Sequence, residues 1–321
     1  DALNVRTGVP QGSILGPFLF LLFINDVGNF TNGGICNCFA DDMVVYVSGE
    51  TVADVTVKLQ QSLNSIEAWY VANKLKVNAL KSKVMLIGTP TKLSNIIKDD
   101  FQIFYDGQLL ETSNKMTYLG LVIDENLSWN NQVSSVMRKV AYNILLLHRL
   151  SSILPEEILI QIYKTYLMPL IEYGATVWGF STQDNLDKAQ HLINLAARVI
   201  KSNYDFINVR GIDIVRQLGL QTFVERRDFL ISSLMYKCVH GSAPIYLTNN
   251  INLVSEVSEH ITRGSSSLNV YLPRPKTEKF KRSFNYAGGL AWNTLGKDIH
   301  EAPTLYSFKV AYKRHYWNNA I

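Results

Sequence analysis

Apolar positions divide the chain into two halves with different periods. Ile35 to Ala40 and Met43 to Ser48 are short strand-like runs with only Asp41-Asp42 between them, the length of a tight hairpin. Upstream, Ile14 to Ile24 is an apolar run interrupted by Gly16-Pro17. With Pro17 tolerated in a first turn, Phe18 to Val27 predicts a buried helix. Val55, Leu59, Leu63, Ile66 and Tyr70 recur at helical spacing over 51–73. A strand over 84–88, a hairpin around Asp106-Gly107 and a strand from Thr117 to Asp124 follow. From residue 129 the period becomes helical, with Val133, Val136, Met137, Val140, Ile144 and Leu147. Helical patterns continue over 155–179, kinked or broken at Pro169, and over 184–201, 213–240, 286–296 and 304–319. Thr262 to Lys281 is basic and aperiodic, a loop with a strand over 269–273. The front is therefore α+β and the back mostly α.

Composition narrows the class. Hydrophobic residues make up 47% and charged residues 18% of 321, enough to bury a core and too apolar for global disorder. The length suggests roughly two domains. The longest apolar run falls short of the roughly 20 residues of a membrane span. Three cysteines, an odd and sparse count, fit a reducing, intracellular compartment. Cys36 and Cys38 share one face of a strand and read as buried core thiols. The net charge of +4 is uneven. Residues 1–130 carry 9 Lys and Arg against 13 Asp and Glu, a net of −4, and residues 131–321 carry +8. The basic back half suits a polyanion, or is an ordinary solvated surface.

Asp41-Asp42 is a poor turn pair, because tight hairpins favour Asn-Gly or Asp-Gly. Two adjacent carboxylates between apolar strands repel each other unless a cation neutralises them. Hard divalent cations such as Mg²⁺ bind a few carboxylates together with substrate phosphates. The pair therefore points to metal-assisted phosphoryl or nucleotidyl transfer. The competing reading is an exposed acidic turn.

The order of elements decides between them. A Gly/Pro-rich loop, an apolar helix, an acidic hairpin, an amphipathic helix and a Lys-bearing strand follow one another, and this order resembles the palm of reverse transcriptases of non-LTR retrotransposons of the Jockey and CR1 type. Gly8-Val9-Pro10-Gln11-Gly12-Ser13-Ile14-Leu15-Gly16-Pro17 is similar to that family's template- and nucleotide-contacting motif. The resemblance assigns that contact to Pro10, Gln11 and Gly12. Phe39-Ala40-Asp41-Asp42 matches the catalytic hairpin, which makes Asp41 the principal ligand of a two-Mg²⁺ site and Asp42 a ligand or electrostatic support. Leu75 to Lys83 resembles the next motif, in which Lys81 would stand beside the leaving pyrophosphate; Ser82 occupies a position where Thr is more usual. Tyr118, Leu119 and Gly120 open a segment resembling the primer-grip strand.

The resemblance implies an α+β fold, a partial palm over 1–124 with an antiparallel sheet and packed helices. A helical thumb-like region follows over 125–201, with Leu127-Ser128-Trp129 and Tyr173-Gly174-Ala175-Thr176-Val177-Trp178, and a C-terminal helical extension with its basic loop over 202–321. Ala291-Trp292-Asn293-Thr294-Leu295 and Ser307-Phe308-Lys309 resemble the C-terminal segment of the same elements. The implied activity is RNA-directed DNA polymerisation, with an RNA template, a DNA primer and dNTPs as partners, no membrane, and nuclear action. A group II intron maturase shares the palm and is the runner-up. In the family a further Asp, on an earlier palm strand, bridges both ions, and basic fingers hold the triphosphate. Neither is found in these residues, nor is the accompanying endonuclease, and Asp26 reads as a helix-end carboxylate. The expectation is the C-terminal part of a polyprotein, inactive alone. The alternative is a non-catalytic nucleic-acid-binding remnant.

Overall fold

The computed structural model describes residues 8–9, 12–96, 100–257 and 268–317. The chain forms two compact units, 1–116 and 117–321.

The first unit is α+β. Its helices are Gly16–Ile24, the long Val52–Ala72 and the short Pro90–Ser94, with a 3₁₀ turn at Val27–Phe30. The long helix starts where Thr51 accepts the Asp54 amide at 3.1 Å. Its apolar stripe buries Leu59, Ile66 and Tyr70, as the spacing predicts, together with Trp69, which the spacing did not pick out; Val55 and Leu63 are partly buried. Gln60 ties it to the strand Phe104–Tyr105: the Phe104 amide donates to Gln60 Oε1 at 2.8 Å, and Gln60 Nε2 donates to the Phe104 carbonyl at 2.9 Å. The expected hairpin at Asp106-Gly107 forms, with both residues at positive φ (49° and 66°) as a type I′ turn requires.

Three expectations for this unit are corrected. The sheet is not a single antiparallel one; among the described residues the strands form separate pairs, and Lys83–Val84 pairs parallel with Glu111–Thr112. The strand over 84–88 shortens to Lys83–Val84. The Gly16–Ile24 helix is not buried. Only Gly16 and Ile24 are, while Phe18, Leu21 and Leu22 stand 58%, 50% and 60% exposed. The helix is apolar on every side, and one edge suffices to meet the core, where Phe23 lies 6.2 Å from Trp69.

Among the described residues, the second unit is helical apart from a bridge between Leu253 and Val270 and the hairpin leading into it, Lys115–Tyr118 with Leu121–Asp124. This corrects the single strand expected over 117–124, because Leu119 and Gly120 both take positive φ (46° and 76°) and reverse the chain. Asn130–Ser151 buries Val133, Val136, Val140, Ile144 and Leu147, on the expected spacing. Glu156–Ile162 passes through a π turn, Tyr163–Leu167, into Met168–Glu172, which opens on Pro169. The wider turn accommodates a residue with no amide proton. Gln183–Lys201 follows. The helix expected over 213–240 is two, Gly211–Gln217 and Phe223–Val239, parted at Gly219 with φ +62°. One core runs from Val133 to Phe223, with Trp178 stacked on Phe223 at 4.9 Å. A second gathers Phe229, Trp292, Phe308 and Tyr312. Of the strand expected over 269–273, a bridge between Leu253 and Val270 forms. The front of the basic loop, 262–267, lies outside the described residues.

Candidate nucleotidyl-transfer site

The acidic hairpin consists of Ile35–Phe39 and Asp42–Tyr46, antiparallel, with Phe39 opposite Asp42 and Cys38 opposite Met43. The turn therefore sits one residue earlier than expected. Ala40 and Asp41 form the loop, and Asp42 begins the second strand. Ala40 takes φ +53°, a left-handed conformation that costs an L residue about 1–2 kcal/mol. Strain of this kind collects at functional turns.

Alternation along the strands gives the hairpin two faces. Met43 and Val45 pack on the core of Ile24, Val27, Ile66, Trp69 and Tyr70. Phe39, Asp42 and Tyr46 point the other way and are exposed. Asp41 is exposed as well, so the pair stands in solvent and not in the low-dielectric surroundings expected from the sequence. Among the described residues, neither carboxylate forms a hydrogen bond or ion pair, and no cluster of three or more His, Cys, Asp and Glu forms. The chemistry of the donors fits a hard cation: two adjacent, unengaged carboxylates on a backbone anchored by the long helix.

Cys36 and Cys38 are corrected from buried thiols. Cys36 is half-buried and Cys38 exposed, their sulfurs 3.6 Å apart. Burial, then the hydrogen bond to Cys38, pushes the Cys36 thiol up to about 12.

Lys81 is exposed on a turn organised by Asn78, whose side chain and carbonyl accept its amide at 3.3 and 3.1 Å. Lys83 beside it is paired with Glu111 at 2.8 Å. Among the described residues Lys81 has no carboxylate partner. Gly12 is exposed at φ +81°, with nothing within 4 Å of where a Cβ would stand. Pro10 and Gln11 lie outside the described residues. The two carboxylates thus stand side by side on one hairpin, with Lys81 and Gly12 on separate turns of the same unit.

In the second unit, the Tyr118-Leu119-Gly120 turn rests on the Tyr173-Gly174 motif. The Tyr173 hydroxyl donates to the Leu119 carbonyl at 2.5 Å, and a Cβ on Gly174 would stand 2.6 Å from Leu121 Cδ2. The Trp178 indole closes the motif by donating to the Tyr173 carbonyl at 2.9 Å.

Two features went unread in the sequence. Asp124 is buried and accepts from the amides of Asn126, Ser128 and Trp129 and from the Ser128 hydroxyl, all at 3.0–3.1 Å. The signal was present as a carboxylate two residues before the Asn126-to-Trp129 stretch, the spacing of an Asx-type turn. A shallow groove of about 510 Å³ is lined by Arg138, Lys139, Tyr142, Asn143 and Tyr166. Among the described residues, neither Arg138 nor Lys139 is ion-paired.

Residues 2–123 match the family described as reverse transcriptase (RNA-dependent DNA polymerase). That match covers the front of the chain, and the proteins to which the chain is similar are named as RNA-directed DNA polymerases of mobile elements. It is 27% identical over 221 residues to the RNA-directed DNA polymerase from mobile element jockey of Drosophila funebris, covering 65% of this chain and 23% of that protein. It is 27% identical over 232 residues to the probable RNA-directed DNA polymerase from transposon BS of Drosophila melanogaster, covering 69% and 25%. To the corresponding X-element protein of Drosophila melanogaster it is 26% identical over 227 residues, covering 68% and 24%. The chain spans about a quarter of the length of these curated relatives. No helix among the described residues is long and apolar enough to cross a membrane.

Proposed function

We propose that the chain is part of an RNA-directed DNA polymerase and that Asp41 and Asp42 hold Mg²⁺ for nucleotidyl transfer from a dNTP to a primer on an RNA template. The observation that carries this reading is the pair of unengaged carboxylates at a strained hairpin tip, inside the segment that matches the family. Asp41, in the loop, is the principal ligand, and Asp42, opposite Phe39, supports it. When bound, the metal supplies charge neutralisation at the attacking and leaving oxygens. Lys81 stabilises the departing pyrophosphate or donates a proton to it. Pro10, Gln11 and Gly12 contact template and nucleotide. The Tyr118-Leu119-Gly120 turn grips the primer end.

We assign 1–124 to the palm, 125–201 to a thumb-like region and 202–321 to a C-terminal extension, with action in the nucleus. A two-metal site takes more carboxylates than this hairpin carries, and the resemblance puts another on an earlier palm strand. The 321 residues alone are therefore expected to give no primer extension with Mg²⁺, whereas a polypeptide that includes that strand extends the primer and loses activity on Asp41→Asn. Product from the 321 residues alone, abolished by the same substitution, would overturn the inactivity. Product unaffected by it would overturn the site.

The groove on the second unit favours a further reading, nucleic-acid binding without catalysis. Arg138 and Lys139 offer unpaired charge, and Tyr142 and Tyr166, 64% and 56% exposed, offer stacking faces. Binding of labelled RNA that falls steeply with salt and weakens in Arg138→Glu supports this reading, and salt-independent binding refutes it.

A further inference from the structure

We propose that the sulfur face of the acidic hairpin is a binding site for a thiophilic metal cation of the zinc and cadmium class, separate from the carboxylate tip. Cys36 and Cys38 lie two apart on the strand Ile35–Phe39, so their side chains share one face. Their sulfurs are 3.6 Å apart. A tetrahedral cation with metal–sulfur bonds of about 2.3 Å requires two of its sulfurs to stand about 3.8 Å apart. The bite is therefore already formed, and chelation requires no movement of the strand.

Met43 adds a softer donor. It faces Cys38 across the ladder, so its thioether belongs to the same face. Its sulfur lies 4.0 Å from the Tyr70 hydroxyl. Soft thiolate and thioether donors select soft cations, while the carboxylates at the tip select hard ones. The strand alternation keeps the two sets apart, because Asp42 is opposite Phe39 and on the other face from Cys38 and Met43. Cys38 is exposed, which leaves the site open to solvent. Binding is a proton exchange: one divalent cation replaces two thiol protons, which pass to solvent, and both metal–sulfur bonds form without any change of oxidation state. The remaining positions on the cation fall to Met43 or to water.

The test uses the reduced, folded 321-residue chain with Cd²⁺ as the probe. The expected result is a saturable sulfur-to-cadmium charge-transfer band at one ion per chain. The band should be reversed by Zn²⁺, left unmoved by excess Mg²⁺, lost in Cys36→Ser and in Cys38→Ser, and kept in Cys238→Ser. No band, or a band unchanged in the Cys36→Ser/Cys38→Ser double variant, overturns the proposal. A variant-free measurement guards against misfolding. Cd²⁺ should protect Cys36 and Cys38 of the unaltered chain from alkylation, read by mass spectrometry of the peptide carrying both. Unprotected thiols on that peptide overturn the site. Neither readout depends on polymerase activity.

Discussion

The hydroxyl of Tyr173 donates to the carbonyl of Leu119, and this bond joins two segments 54 residues apart in sequence. Leu119 is held at φ +46°, where a residue with a Cβ is strained, and Gly174 leaves the space that Leu121 fills. Tyr173→Phe removes one hydrogen bond at a half-exposed site and is expected to cost about 1 kcal/mol in urea unfolding. Gly174→Ala adds a Cβ at φ +67° against Leu121 and is expected to cost more, about 2 kcal/mol. Equal stability of Gly174→Ala and the parent would show that the turn does not rest on this motif.

Asp124 makes a stronger prediction. Its carboxylate gathers four donors, and the loop it organises holds Leu127 at φ +51° and Trp129 at φ +66°. Asp124→Ala leaves those donors unpaired and releases the strained turn ahead of Asn130–Ser151. The expected loss is about 3 kcal/mol or more, and Asp124→Asn, which keeps one acceptor oxygen, is expected to lose less. Chemical denaturation of the three proteins gives the ranking, and a loss under 1 kcal/mol for the alanine variant contradicts it.

How far the sequence could be read depended on whether a signal was local. Val52–Ala72 and Asn130–Ser151 follow apolar stripes that bury most of the side chains their spacing selects, with Val55, Leu63 and Met137 partly buried. Asp106-Gly107 turns where expected because both residues tolerate positive φ. The acidic hairpin was legible as a hairpin, but its loop was misplaced by one residue. Ala40 carries no turn signal, and the partnership of Phe39 with Asp42 is set by the ladder. Leu119 hid a second reversal in the same way, since an apolar residue at positive φ reads as strand. The exposure of Gly16–Ile24 was illegible for another reason: hydrophobicity on every side says that a helix favours cover, not that these residues supply it.

That exposed helix bears on the behaviour of the chain in solution. Phe18 and Leu22 are one turn apart and lie beside Ile14 and Leu15, which are 96% and 63% exposed. A contiguous apolar surface of this kind drives association. The parent chain is expected to self-associate with rising concentration in light scattering, and Phe18→Lys with Leu22→Lys to shift it toward monomer. The thermal midpoint should hold, because neither side chain is part of the core. A drop of several degrees would mean that the helix is packed.

His300 gives the C-terminal core a dependence on pH. Its ring is 1% exposed and stacks on Trp292 at 4.3 Å, and its Nε2 donates to the Trp292 carbonyl at 2.8 Å. His240 donates to the His300 carbonyl at 3.0 Å, linking the two rings through the backbone. Nδ1 is buried without a partner, so a second proton would place an N–H where nothing accepts it. Burial accordingly holds the imidazole below its ordinary value, against the pull of the Trp292 carbonyl and Glu301 and with a smaller push from His240. The sign follows from proton counting. Below about pH 6.5 the unfolded chain takes up a proton that the folded chain refuses, so stability falls as pH drops through the unfolded value and is fully present above it. The slope of unfolding free energy between about pH 7 and pH 5 is expected to flatten in His300→Gln, whose amide can still donate to the Trp292 carbonyl but does not titrate. An unchanged slope in that variant would assign the acid sensitivity to other groups.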